Sequence, residues 1–224
     1  NGVQVHWSNP AFKYTHQKTL TVDGAVSAVL TFNFVSRYYA TGRDFGVVLT
    51  DPTDVAAIET VFNADFTNTS ITPPTGTDLV WSPTNSEAST LDLINSAKTS
   101  LLIEEEEMAY STLTNALAAA AQRGVDVHLV MTYDSGYTSA LNQLKTAGVK
   151  IATFPDNPQS LYIHAKVILA DYGTSSARVF VGSENFSQNS LERNRELGVI
   201  LSDTAVMDSI QGTITKDFAN ATAY

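Results

Sequence analysis

The chain carries the pattern His-x-Lys-x4-Asp twice, at His16/Lys18/Asp23 and at His164/Lys166/Asp171, and both copies stand in the same frame. Ahead of them, Gly2-Val3-Gln4-Val5 matches Gly148-Val149-Lys150-Ile151. Behind them, Asp44-Phe45-Gly46-Val47-Val48-Leu49-Thr50-Asp51 matches Glu196-Leu197-Gly198-Val199-Ile200-Leu201-Ser202-Asp203. Asn33 and Asn185 each fall eleven residues before the acid that opens this second anchor. Between motif and Asn the copies differ in length, seventeen residues against twenty-one, where Tyr172-Gly173-Thr174-Ser175-Ser176 lengthens a turn. Insertions collect at such tips. A repeat in fixed register requires each copy to build the same unit, which constrains the fold more than any local propensity.

The second copy has an upstream half that the first lacks. From Asp78 the apolar spacing predicts a strand over 79–81, a helix over about 89–98 and a strand over 101–105. A helix over about 111–123, a strand over 125–131, a helix over about 138–147 and a strand from Val149 follow. Gly124 and Gly148 stand where two of these helices must stop. Alternating strands and helices imply an α/β sheet with helices on its faces. The chain thus divides into residues 1–66, the C-terminal half of repeat 1; a polar, Pro-containing linker over 67–77; and residues 78–224, a complete repeat 2. Half a sheet cannot cover its own faces. The chain also opens at Asn1-Gly2-Val3 with neither Met nor a signal sequence. It is therefore expected to be the C-terminal part of a longer protein, or to pair with a second chain that completes repeat 1.

Composition narrows the partners. A formal net charge of −10 disfavours binding along nucleic acid backbones, which rewards a basic surface. Cysteine is absent, so neither disulfides nor thiolate metal sites contribute. No apolar run approaches the roughly 18–20 residues that span a bilayer. Abundant Thr, Ser and Asn with few Lys and Arg suit a secreted or periplasmic protein.

The motif itself carries the chemistry. On an extended strand, residues two apart share a face, so each motif delivers one imidazole and one ammonium to the same side. His164-Ala-Lys166-Val-Ile-Leu-Ala-Asp171, followed by Gly182-Ser183-Glu-Asn185 and Glu196, resembles the complete motif of the phospholipase D superfamily. His16-Gln-Lys18-Thr-Leu-Thr-Val-Asp23, with Thr31-Phe-Asn33 and Asp44, resembles its partner, although Leu30 replaces a Gly and Asp44 a Glu. The likeness runs from Gly2 to about Asp203.

The resemblance implies duplicated α/β lobes, each a mixed sheet flanked by helices, related by a pseudo-two-fold axis with the active site at their interface. It implies a phosphodiesterase that needs no metal and no cofactor, acting on glycerophospholipids through a covalent phosphohistidine and able to transfer to alcohols as well as to water. His16 is then the expected nucleophile, His164 the acid, and Lys18 and Lys166 the groups that neutralise phosphate oxygens, with Asp23 and Asp171 behind them. Asn33, Asn185, Thr31 and Ser183 are expected to bind or orient the phosphate, and Asp44 and Glu196 to hold Nδ1 of the His in the opposite motif. A synthase of the cardiolipin or phosphatidylserine type runs through the same intermediate and remains open, as does a nuclease of the superfamily. The expected partners are a phospholipid and, transiently, a membrane or micelle surface.

Other features have plainer readings. His6 and His128 are expected to be structural. The run Glu104–Glu107 reads as a solvated strand end, with one Glu a candidate for the substrate mouth, since consecutive strand residues alternate faces and cannot chelate one ion together. Trp7, Tyr38, Tyr39 and Tyr162 flank the motifs, either as a wall for lipid tails or as core. The sequons at Asn68, Asn185 and Asn220 are read as coincidental, because sugar on Asn185 would block the site.

Overall fold

The computed structural model describes residues 2–36 and 39–224. In copy one the chain forms β1 (Thr19–Val22), β2 (Val26–Leu30), β3 (Gly42–Arg43), β4 (Gly46–Leu49) and α1 (Pro52–Phe66). Copy two forms β5 (Leu79–Ser82), α2 (Ser86–Ser96), β6 (Ser100–Glu105), α3 (Ser111–Gln122), β7 (Asp126–Thr132), α4 (Thr138–Ala147) and β8 (Lys150–Phe154). It continues through β9 (Tyr162–Ile163), β10 (Lys166–Ala170), β11 (Arg178–Gly182), α5 (Gln188–Glu192), β12 (Glu196–Leu201), α6 (Thr204–Asn220) and β13 (Thr222–Ala223).

Copy two builds a mixed eight-stranded sheet in the order β13-β8-β7-β6-β10-β11-β12-β5. The strands β6, β7 and β8 run parallel, linked by the crossover helices α3 and α4, while β10, β11 and β12 form an antiparallel meander beside them. Alternating side chains divide the core. Ile168 and Ala170 of β10 pack with α2, α3 and α4, and Val167 and Leu169 pack on the other face with α1 and α6. The meander has a twin in copy one, the sheet β1-β2-β4, whose Val29, Val47 and Leu49 join that second core.

Local chemistry repeats with the topology. Asp51 caps α1 by accepting from the amides of Thr53 and Asp54, and Asp203 caps α6 by accepting from Val206. Gly148 closes α4 at φ 99°, a left-handed conformation that a side chain would resist. The helix expected from Ser89 begins instead at Ser86, because Asn85 accepts from the Trp81 amide and Ser86 Oγ donates to the Leu191 carbonyl. The Ser86 anchor is tertiary, and neither bond leaves a periodic apolar signal. The segment 67–77 is irregular but pinned: buried Asp54 in α1 accepts from the amides of Thr77 and Asp78, and Trp81 Nε1 donates to the Pro74 carbonyl.

Two regions of copy one differ from their twins. Residues 2–5 form no strand, with Val3 79% and Val5 83% exposed, because the described residues hold no copy-one equivalents of β6 and β7 to pair with them. Leu20, Val22 and Val48 are exposed, whereas their counterparts Ile168, Ala170 and Ile200 pack against the α2–α4 layer. Among the described residues no helix is long and apolar enough to cross a membrane.

Candidate active site

Each motif is fastened at its own backbone and at the opposite copy. Lys18 Nζ donates to the His16 carbonyl and Lys166 Nζ to the His164 carbonyl, both at 2.6 Å, so each ammonium is folded back under its own imidazole. The His16 amide donates to the Arg195 carbonyl at 2.8 Å and the His164 amide to the Arg43 carbonyl at 3.1 Å. These arginines immediately precede Glu196 and Asp44, so the same crossed contact carries each acid to the other copy's His. His16 Nδ1 lies 2.8 Å from Glu196 Oε2 and 3.0 Å from Oε1. His164 Nδ1 lies 2.8 Å from Asp44 Oδ1. With Nδ1 of each ring held by a carboxylate, Nε2 is the nitrogen turned away from that acid.

The arginines also fix the halves together. Arg195 makes a two-pronged pair with Asp65 on α1, at 2.9 and 3.2 Å, and Arg43 makes the matching pair with Asp217 on α6. Asp65 and Asp217 occupy equivalent repeat positions, as do the arginines. Sequence reasoning missed all four, although extending the repeat alignment to charged positions would have found them.

Thr31 and Ser183 were expected near phosphate and instead hold the acids. Thr31 Oγ1 donates to Asp44 Oδ1 at 2.7 Å and accepts from the Phe45 amide at 2.9 Å. Ser183 Oγ donates to Glu196 Oε2 at 2.7 Å and accepts from the Leu197 amide at 3.1 Å. Ser190 and Asn194 complete Glu196 with bonds of 2.8 and 2.9 Å to Oε1. A fully buried carboxylate with this many donors is held in place.

Asp23 and Asp171 do not reach the imidazoles. A strand rises about 3.3 Å per residue, so the five steps from Lys to Asp put each roughly 16 Å away along β1 and β10. Both adopt left-handed φ, 54° and 53°, at the turn beyond the strand. Asp171 is buried and accepts from the amides of Lys98, Thr99 and Ser100 and from Thr99 Oγ1, tying the start of β6 to the end of β10. Burial raises its carboxyl, but these donors outweigh it and hold the pKa below the ordinary value. Asp23 is exposed. Neither is placed to touch a ligand shared by the His and Lys pairs.

The run Glu104–Glu107 is not a solvated strand end. β6 is a central strand, so Glu104 and Glu105 are wholly buried, and burial pushes both carboxyls well above the usual range. Glu105 Oε1 accepts from the Glu106 and Phe186 amides. Glu106 enters the site: its Oε2 lies 2.7 Å from Lys166 Nζ and 3.6 Å from His164 Nε2. Tyr162 OH donates to its other oxygen at 2.8 Å. Glu107 accepts from Asn185 Nδ2 at 3.3 Å, while Asn185 Oδ1 is buried with no hydrogen-bond partner among the described residues.

The lysines differ electrostatically. Burial, with Lys166 adding, lowers Lys18 to about 8, although Glu196, Glu106 and Glu184 oppose it. Lys18 thus senses charges from both half-sites, which places the two motifs in one electrostatic neighbourhood. The fully buried Glu184, raised first by burial, fills space left by Gly182 and Gly198, where a Cβ would collide with it and with Phe180. In copy one Leu30 stands at the position of Gly182 and Phe32 at that of Glu184, so an apolar pair takes the same volume.

Beside His164 opens a cavity of about 230 Å³, lined by Phe32, Asn33, Val35, Tyr39 and Asp44. Asn33, Val35 and Tyr39 are exposed there, and Phe34 is exposed next to them in the chain. Trp7 is 93% exposed and is not core, and Tyr162 lies 6.2 Å from the His164 ring. Tyr38 falls outside the described residues. His128 pairs with Asp126 and packs on Phe218, and His6 packs on Phe66, both away from the motifs.

A family model described as "Cardiolipin synthase, PLD-like domain" matches residues 90–218, more than half of the chain. The chain belongs to the phospholipase D-like family. Cardiolipin synthase A from Pseudomonas aeruginosa is 31% identical over 114 residues, covering 47% of this chain and 21% of the relative. This phospholipase D-like chain therefore spans about a fifth of the length of the curated relatives it matches. A phospholipase D family member, Nuc from Salmonella typhimurium, superposes with a TM-score of 0.57 at 27% identity, over 65% of this chain and 95% of that one. The phosphatidylserine synthase of Haemophilus influenzae shares the fold at a TM-score of 0.67 and 10% identity, over 93% of this chain and 62% of that one. Polyphosphate kinase from Porphyromonas gingivalis shares it at 0.70 and 16% identity, over 92% and 33%.

Proposed function

We propose that this chain cleaves the terminal phosphodiester of a glycerophospholipid through a phosphohistidine intermediate, passing the phosphatidyl group to water or to an alcohol. The observation that carries the reading is the crossed pair His16–Glu196 and His164–Asp44, with a buried lysine under each imidazole. Among the described residues His16 has a carboxylate only at Nδ1, leaving Nε2 as nucleophile, whereas His164 has Asp44 at Nδ1 and Glu106 facing Nε2. A carboxylate facing each ring nitrogen suits His164 as the proton donor.

In the first step the His16 Nε2 lone pair bonds to phosphorus, the P–O bond to the leaving alcohol breaks, and His164 Nε2–H protonates the departing oxygen. In the second, His164 removes a proton from the acceptor, whose oxygen bonds to phosphorus as the P–N bond breaks. Lys18 and Lys166 balance charge on the nonbridging oxygens in both steps. The family match and the cardiolipin synthase relatives support a second reading, in which the acceptor is a lipid alcohol rather than water.

Incubation with mixed phospholipid vesicles, ethanol and EDTA tests both readings. Phosphatidylethanol and phosphatidate are the expected products, and their ratio measures transfer against hydrolysis. Turnover of DNA alone, or turnover only on adding a metal ion, would refute the proposal.

A further inference from the structure

The repeat exposes one asymmetry in the site. Lys18 and Lys166 hold matching positions, yet among the described residues only Lys166 carries a carboxylate on its ammonium, Glu106 Oε2 at 2.7 Å. The same oxygen is 3.6 Å from His164 Nε2, the nitrogen left facing outward once Asp44 holds Nδ1. One anionic oxygen thus bridges the two groups that, on the reading above, contact the phosphoryl group in this half-site. Glu106 is held from behind by Tyr162 OH at 2.8 Å, with Glu105 and Glu107 on either side in the chain. Burial raises its carboxyl, but Lys166 and His164 outweigh that and keep it below the ordinary range, so it is charged at neutral pH.

A carboxylate oxygen and a phosphate oxygen ask for the same donors, and two anions at contact distance repel. We propose that Glu106 is a specificity-determining residue: it occupies the place of a phosphate oxygen at Lys166 and His164 and must withdraw when a phosphodiester enters. A small free anion gains too little elsewhere to displace it. A phosphodiester with an apolar body gains contact in the cavity that Phe32, Val35 and Tyr39 line beside His164, and so can displace it. Glu106 therefore selects esters over inorganic phosphate. The inference rests on reading the His and Lys pairs as a phosphate site.

Calorimetric titration with inorganic phosphate tests it on the wild-type chain, Glu106→Gln and Tyr162→Phe, each checked by thermal melting. Glu106→Gln keeps the shape and removes the charge, and should bind phosphate at least about tenfold tighter. Tyr162→Phe frees the carboxylate to swing away and should give a smaller gain in the same direction. Unchanged or weaker affinity in a folded Glu106→Gln overturns the proposal. If that variant does not fold, unchanged or weaker affinity in Tyr162→Phe does so. Tighter phosphate binding by Glu106→Gln without phospholipid turnover by the wild type would support the role of Glu106 while removing the lipid substrate. Absence of phosphate binding in all three proteins would overturn both.

Discussion

His16 Nδ1 and Glu196 Oε2 lie 2.8 Å apart although they belong to opposite copies of the repeat. Glu196 is held by Ser183, Ser190 and Asn194, so it is a fixed point against which the imidazole is oriented. Glu196→Gln keeps the shape but lets the ring adopt the wrong tautomer. The expected result is a fall in kcat of about two to four orders of magnitude with little change in KM. A loss confined to KM would show that Glu196 acts on binding instead.

The two imidazoles should separate by leaving group. His164→Asn removes the proton donor, so turnover of an ordinary phospholipid should drop by about two to four orders of magnitude, with much of it recovered on a p-nitrophenyl phosphodiester. His16→Asn removes the nucleophile and should recover nothing on either substrate. The opposite pattern would exchange the roles.

Lys18 makes the site sensitive to pH. Its pKa is lowered to about 8, so the ammonium is charged below that value and neutral above it. Affinity for an anionic phosphodiester should therefore weaken as pH rises through about 8. Lys18→Arg keeps the charge and should remove that limb from the profile of KM.

The two lysines should also respond differently to removal. Lys18 lies below its unfolded value of 10.5, so its burial costs stability fully below about pH 8, and that cost is relieved as pH rises towards 10.5. Lys18→Met should abolish turnover while maintaining or raising the melting temperature at pH 7. Lys166→Met strands the carboxylate of Glu106 and should cost up to about 3 kcal/mol. Equal melting temperatures for the two variants would contradict this difference.

Asp171 should behave as a structural residue. Asp171→Ala leaves the amides of Lys98, Thr99 and Ser100 without an acceptor and should cost about 2–3 kcal/mol in denaturant unfolding. Its depressed pKa contributes stability above the unfolded value of 3.8 that is lost as pH falls through the lower folded value, and the variant should lack this acid limb. Exposed Asp23→Asn, which tolerates the same left-handed φ, should stay within about 0.5 kcal/mol of wild type. Undiminished stability with abolished turnover in Asp171→Ala would make it part of the chemistry.

The repeat in the sequence determined a great deal: that the two copies build a like unit, the α/β order of copy two, the four His and Lys residues, and the acids Asp44 and Glu196 that reach across. Period and register are properties of the chain itself, and a motif on a strand fixes which side chains share a face. The tertiary structure decided what each polar group touches. Thr31 and Ser183 look like phosphate ligands by spacing, but they hold the acids because the neighbouring strand brings Asp44 and Glu196 within 2.7 Å. Asp171 belongs to the motif by sequence, yet the strand's rise carries it to the far end of the sheet. Glu106 looked like surface until β6 proved central, since the position of a strand within a sheet is set by long-range pairing that no local pattern encodes.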